Sequence, residues 1–471
     1  MILFLLLLPA VIMFLVSFIK SDRVLGLLPY TTVTVLLPAV WIFCLPKPFA
    51  VIGEYLVADG MNSYVLLVSA VVSITVTTAL ISIKKRVAIT DKAVRRFYRF
   101  FAVFWLGLNL SILANSMGLY WIGLELATLS TVYMIKTNNS NKSHREAWNY
   151  LIVGAIAVSL VLFGIILIYA SARPILGEGA MNFDQLLKAA PKLSSDFLFE
   201  IGFSITAVGL FIKMGFFPMG LWLPNVERAA FYPVAALFSG ILEGAVLVGL
   251  FRFSKIAVNV NYSNLLALTT LYIVITMFVV AFLLYGAKDF IRIFSLSGIE
   301  HTALISLFWV SGGVYAALLH LGAHAFIKPA LFLATGVLES NGKGRIAGVL
   351  KAPKGGKNIT FSGLVSLFIL AVISLPPSPM FFSELSGFGS LINVAKASSH
   401  TGWGFAVIAL ILILLSVIFY RFITVYQSMK YEGETREFRV YYNEILALLI
   451  LFAGTVALLL PQTINYLKGL Q

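Results

Sequence analysis

Residues Gly118–Ile135 read GLYWIGLELATLSTVYMI, eighteen residues that suit a lipid environment apart from one carboxylate, Glu125, near the middle. An ionisable side chain near the bilayer centre costs roughly 2.5–3.5 kcal/mol on insertion scales, so it persists where it has a partner or a task. The stretch sets two questions: what kind of chain carries such a helix, and what Glu125 faces.

The surrounding chain answers the first. Of its 471 residues 60% are hydrophobic and 11% charged, and the mean hydropathy is +0.96. Apolar runs long enough to cross a hydrocarbon core of about 30 Å recur along the whole length. The chain is therefore read as an all-α integral membrane protein, with no segment left for a soluble domain. The opening MILFLLLLPAVIMFLVSFIK lacks a basic n-region and a clear small-residue cleavage site, so it is read as the first span and not as a signal peptide. A single cysteine, Cys44, excludes an internal disulfide and any cysteine-ligated zinc or iron–sulfur centre held by this chain alone. A net charge of +14 would point to nucleic acid in a soluble protein; in a membrane protein it is read through its division between the two faces.

Polar breaks divide the sequence into fourteen candidate helices, starting near residues 2, 27, 62, 98, 117, 148, 198, 231, 264, 290, 314, 359, 404 and 441. Loops after odd-numbered helices hold 24 of the 34 Lys and Arg, among them KKRVAITDKAVRRFYR and GKGRIAGVLKAPKGGK; the opposite side holds 8. By the positive-inside rule the odd loops are cytoplasmic and both termini lie outside, which agrees with an even number of spans. The long outer loop ARPILGEGAMNFDQLLKAAPKLSSDFLFE is expected to carry a short amphipathic turn and not a domain. The glycine-rich inner loop ESNGKGRIAGVLKAPKGGKN lacks GxxxxGK[ST] and reads as a headgroup-facing linker.

Within the spans remain Glu125, Lys213, Glu243, His320, His324, Lys328 and Glu384, with Glu300 and His301 near the start of helix ten. Lys213 stands five residues before Pro218, and a proline within a span removes a backbone donor and frees carbonyls that need other partners. A broken helix beside a buried lysine is the usual material of ion-coupling sites; the apolar residues on both sides weigh against a lysine snorkelling to the interface. His320, His324 and Lys328 follow at i, i+4 and i+8 on one helix face. Two histidines four apart can hold a metal, but the HExxH glutamate is absent and no third ligand is evident, so no metal is assigned. A row of proton acceptors fits better, since imidazole titrates near neutrality; hydrogen-bonded core histidines are the alternative. Helix twelve repeats the theme of helix seven, three prolines followed by Glu384 in ISLPPSPMFFSELSGF, and two such broken helices suggest an inverted-repeat transporter core.

Taken in order, WIGLELATLS, K-x4-P-x3-WLP followed by PVAALFSG, KDFIRIFSLSGIEHTALI, H-x3-H-x3-K and SLPPSPMFFSE resemble the antiporter-type subunits shared by respiratory complex I, Mrp-type cation/proton antiporters and membrane-bound energy-converting hydrogenases. The likeness covers about residues 60–430, and REAWNYLIVGAIAVSLVLFGIILIYA with PPSPMFFSE is most similar to hydrogenase-4 component F and its relatives. The resemblance implies a fourteen-helix fold with broken helices 7 and 12 and two inverted five-helix repeats: N-terminal helices 1–3 in residues 1–97, helices 4–8 in 98–255, helices 9–13 in 256–430, and helix 14 in 431–471. It implies that Glu125 pairs with Lys213 in a first half-channel, that His320, His324 and Lys328 form a central relay, and that Glu384 ends the second half. The sequence departs from the family at two places. Gly220 stands where many members have histidine, and near the helix-eight lysine position the chain has Gly244 with Glu243 one residue away. One residue is about 100° around a helix, so Glu243 does not stand in for that lysine.

The function expected is a proton-translocating subunit of a membrane-bound redox complex in the cytoplasmic membrane of a prokaryote. Such a chain is not itself catalytic. The expected partners are other membrane subunits, including further antiporter-like copies, peripheral redox subunits and lipid, with no nucleic acid. The chain itself is expected to hold no cofactor, iron–sulfur clusters and, in a hydrogenase, a nickel–iron centre belonging to the partners. The alternatives are a Na⁺/H⁺ antiporter or ion-uptake subunit without redox partners, and a non-conducting membrane anchor. The sequence stops soon after helix fourteen, with no long amphipathic extension, which suggests a middle position or a smaller complex.

Overall fold

The computed structural model describes residues 2–20, 28, 30–45, 48–87, 89–136, 140–193, 196–220, 222–260, 264–340, 356–398, 401–428 and 440–470. The start of the expected second helix, most of the glycine-rich inner loop and the loop before the last helix lie outside the described residues.

Helix follows helix: α1 (Ile2–Val16), α2 (Leu36–Cys44), α3 (Gly60–Val87), α4 (Asp91–Leu113), α5 (Met117–Ile135), α6 (Asn141–Leu176), α7 (Phe183–Ala189), α8 (Phe197–Lys213), α9 (Trp222–Ala229) and α10 (Tyr232–Leu237). A π-helical turn, Phe238–Leu242, leads into α11 (Glu243–Asn259), α12 (Asn264–Gly286), α13 (Phe290–Val310), α14 (Val314–Ser340), α15 (Gly356–Val372), α16 (Pro379–Ala397), α17 (Thr401–Ser428), α18 (Tyr442–Ala457) and α19 (Pro461–Lys468). Eight helical stretches among the described residues are long and apolar enough to cross a membrane, or nine if the bent α18–α19 pair counts as one. The protein is thus multi-pass and almost wholly helical.

Two expectations are corrected. The basic stretch KKRVAITDKAVRRFYR is mainly helical and not a loop, since α3 runs to Val87 and α4 starts at Asp91. Lys and Arg are good helix formers, so a helix need not stop where the lipid does. The segment after α2 forms a small antiparallel hairpin, β1 (Phe49–Ile52) with β2 (Leu56–Ala58), turning through Gly53 at φ +48°. The long outer loop is a 3-10 turn, Gly177–Met181, followed by the short α7.

The chain forms two compact units, one of residues 1–70, 91–230 and 242–272, the other of 71–90, 231–241 and 273–471. In the first unit α4 and α5 approach so closely that a Cβ on Gly123 would lie 2.5 Å from the Ser111 amide nitrogen and 2.7 Å from the Gly107 carbonyl. Small residues at such crossings let backbones pack where lipid gives no hydrophobic drive. The hairpin is held to this unit by polar bonds: Asn115 donates to the Glu54 carbonyl (2.8 Å) and Asp184 (2.7 Å), and Arg252 donates to the Ala114 carbonyl (2.7 Å) and Asp59 (3.1 Å). In the second unit α14 is buried throughout, whereas α12 and α17 present Phe282, Tyr285, Trp403 and Ile413 outward, as lipid-facing helices do.

Candidate functional site

The first cluster lies in the first unit and is built on α5, α6 and the end of α8. Lys213, the last residue of α8, is 4% exposed. Its ammonium donates to the Tyr150 hydroxyl at 3.4 Å and stands 4.9 Å from that ring's centroid. Gly154, one turn along α6 from Tyr150, leaves the room: a Cβ there would meet Nζ at 3.4 Å. Tyr150 in turn shares a 3.0 Å hydrogen bond with Thr131 of α5. Glu125 is half-buried on α5 and lies within coulombic range of both Lys213 and Tyr150. No ion pair closes between Glu125 and Lys213 among the described residues, and Glu125 Oε2 is buried with no hydrogen-bond partner there. Glu125 and Lys213 thus stand as an open pair with a phenol beside it.

The sequence explains why α8 ends at the lysine. Pro218 cannot donate, and Gly215 takes φ +81°, a conformation that suits glycine because it lacks a Cβ. The Ile212 carbonyl accepts from the Gly215 amide and also from the indole NH of Trp222, the first residue of α9, each at 3.1 Å. The tryptophan of the WLP motif thus serves the break.

The second cluster lies in the second unit, on α13, α14 and the α15–α16 break. His320, His324 and Lys328 are all buried on α14, in the expected row. Glu300 and His301 prove to be halfway along α13, buried, and not near its start; Asp289, accepting from the Arg292 amide at 3.0 Å, caps that helix well before them. His301 Nδ1 and His320 Nε2 are 3.0 Å apart, and His320 Nδ1 is 2.8 Å from the Ser383 hydroxyl. His301 Nε2 is 3.6 Å from Glu300 Oε2, and the His301 and His324 ring centroids are 5.9 Å apart. Lys328 donates to the Phe294 carbonyl of α13 and lies within coulombic range of Glu300, His301 and His324. Glu384 accepts from Ser374, which occupies the left-handed region at φ +56° where α15 breaks. Ser378, capping α16, donates at 3.0 Å to the Ala371 carbonyl, which also accepts from the Ser374 amide at 3.1 Å, as Trp222 adds a side-chain bond at the break in the first unit. A cavity of about 410 Å³ opens onto Glu300, His301, Ser374 and Glu384 between apolar walls that include Phe381, Leu415 and Phe419.

Glu243 is buried in the first turn of α11, directly after the π-helical turn. The sequence reading missed Tyr150, a tyrosine in an apolar span with no motif of its own. It also left Glu300 and His301 outside the relay and did not single out Glu227, buried at 1% exposure on α9.

Fold and site together define a class: a multi-pass helical membrane protein with buried acidic and basic side chains gathered beside broken helices. The chain belongs to the family described as NADH:quinone oxidoreductase/Mrp antiporter, TM, which matches residues 114–416. A hydrogenase-4 component F homolog of Methylacidiphilum infernorum is 32% identical over 385 residues, 78% of this chain and 79% of that protein. In fold the chain is similar to a subunit of an archaeal membrane-bound sulfane sulfur reductase (TM-score 0.84, 21% identity, 99% of this chain and 95% of that one). It is also similar to a chain of respiratory complex I from Thermus thermophilus (TM-score 0.78, 19% identity, 100% and 98%).

Proposed function

We propose that the protein translocates protons as an antiporter-like subunit of a membrane-bound redox complex, of the energy-converting hydrogenase or complex I kind. The observation that carries this is the pair of buried acid–base clusters, each beside a broken helix: Glu125, Tyr150 and Lys213 in one unit, Glu300, His301, His320, His324, Lys328 and Glu384 in the other. Charged groups inside a membrane protein face its interior or water and mark ion paths. Glu125 near Lys213 favours the ammonium; movement of the carboxylate away, driven by a neighbouring subunit, favours release of the proton. Were this open pair to close to 4 Å, its two unit charges would attract by about 4 kcal/mol at an effective permittivity of 20. Moving one proton against 100 mV needs about 2.3 kcal/mol, so opening and closing one such pair is sufficient.

The same reading takes the chain as fourteen spans with both termini outside, in a prokaryotic cytoplasmic membrane, and helices 4–8 and 9–13 as inverted repeats. The uneven division of Lys and Arg supports the orientation, and the two broken helices support the repeats. Other membrane subunits and peripheral redox subunits are the partners, the latter holding the iron–sulfur clusters and any nickel–iron centre. The second reading, Na⁺/H⁺ exchange without redox partners, is favoured by the Mrp side of the family. Affinity purification from native membranes separates the two by what accompanies the chain. Glu125→Gln and Lys213→Ala, assayed in vesicles containing the purified complex, should each abolish pumping while electron flow continues. Unchanged pumping in both variants rejects the proton reading, and strict Na⁺ dependence favours the second.

A further inference from the structure

His301 and Glu384 supply what the α14 row lacked, donors from other helices that face His320. We propose that His301, His320 and Glu384 form a binding site for a zinc-class divalent ion.

One donor atom from each of the three lies within 4.8 Å of the other two, and His301 Nδ1 and His320 Nε2 are 3.0 Å apart. Zinc binds imidazole nitrogen and carboxylate oxygen at about 2.0–2.2 Å, which in a tetrahedral site sets donors about 3.3 Å apart. Small side-chain shifts close the difference.

The outer partners fit as well. A metal-bound histidine directs its other ring nitrogen to a carboxylate, carbonyl or hydroxyl, which fixes the tautomer. His320 has the Ser383 hydroxyl at its Nδ1, and His301 has the Glu300 carboxylate 3.6 Å from its Nε2. Glu384 accepts from Ser374. His320 and Glu384 are thus each held by a hydrogen bond from a second group, and the Glu300 carboxylate stands within a small shift of doing the same for His301. Two carboxylates, Glu300 and Glu384, offset the charge of a divalent ion, against the Lys328 ammonium that lies within coulombic range of Glu300 and His301. The adjoining cavity, which Glu384 and His301 line, provides room for water as a fourth ligand. Imidazole donors select against Mg²⁺, Ca²⁺ and Na⁺, which take oxygen ligands.

Binding does not depend on the proton reading, but the two meet at the same atoms: an ion held there occupies the lone pairs that a relay uses. The full-length chain, purified in detergent without a histidine tag and stripped by chelation, is titrated with Zn²⁺ alone. One ion per chain is expected, with X-ray absorption showing two imidazoles and a carboxylate oxygen. His301→Gln and Glu384→Gln should each weaken binding at least tenfold, whereas His144→Gln, a half-buried histidine elsewhere, should not. No stoichiometric Zn²⁺ binding by the wild-type chain overturns the site, as does wild-type affinity in both variants. The wild-type spectrum tests it even where a variant does not fold. If Zn²⁺ binds as expected and leaves proton flux through the intact complex unchanged, the relay role of these residues fails while the site stands.

Discussion

At the scale of single residues, Tyr150 does what neither motif nor periodicity announced. Its hydroxyl accepts from Lys213 and shares a hydrogen bond with Thr131, so it fixes the ammonium at the point where Glu125 is in range. Tyr150→Phe keeps the ring against Trp222, whose centroid is 5.1 Å away, and removes only the oxygen. The expected outcome is a loss of about 1 kcal/mol in stability and a several-fold fall in proton flux. Denaturation in detergent and vesicle assays read the two effects separately, and normal flux would show the hydroxyl to be structural only. Gly220 makes a different point. The family resemblance sets a histidine there, yet a Cβ on Gly220 would lie 1.6 Å from the Gly215 carbonyl oxygen. The backbone of the break, and not relaxed selection of a side chain, excludes the histidine. Gly220→Ala should therefore destabilise the protein by about 1–3 kcal/mol, measured as a lowered melting temperature, instead of being neutral like a surface change.

Among the elements, the two interrupted helices and their caps account for where the charged side chains stand. Prolines made both breaks legible in the sequence, because a ring without an N–H cannot continue the ladder. What could not be read was which side chains reinforce the last-turn carbonyls at the breaks. Trp222 and Ser378 do so, and both choices depend on how the chain turns back after the break. Asp196 sets the other end of α8. It accepts from the Leu198 amide at 2.8 Å and from Ser171 of α6 at 2.6 Å, and the Ser171 hydroxyl foremost holds its carboxyl below the usual range. A carboxyl depressed in the folded state adds stability above its unfolded value, and that stability is lost as pH falls through the lower folded value. Asp196→Ala should thus cost about 1 kcal/mol near neutral pH, and the gap from wild type should close in acid below pH 3.8, the ordinary carboxylate value. Melting curves across that range decide it; a gap that persists in acid would mean that packing, not the charged cap, is lost.

For the whole molecule, composition made the membrane class plain, and the ordered motifs led to the family. The second cluster was only half visible. His320, His324 and Lys328 share one helix, so their spacing reveals them, but Glu300 and His301 join them across two helices and Glu384 across a third. Contacts between elements leave no period in a sequence. Charge asymmetry, by contrast, is a property of the entire chain, and it supports the proposed orientation on which any direction of proton movement depends. α6 offers the cleanest test, because its 36 residues span about 54 Å at 1.5 Å each, more than the 40–45 Å of a whole bilayer. As a single span it would set its two ends, near exposed Lys142 and Glu178, on opposite sides. Cys44 is the single thiol, so Cys44→Ser gives a clean background for Lys142→Cys and Glu178→Cys. A membrane-impermeant thiol reagent added to intact cells should label position 178 at once and position 142 only after permeabilisation. The reverse pattern would invert the protein and with it the side from which Glu125 and Lys213 take their proton. Labelling of both from one side would mean that α6 does not cross the membrane as a single span.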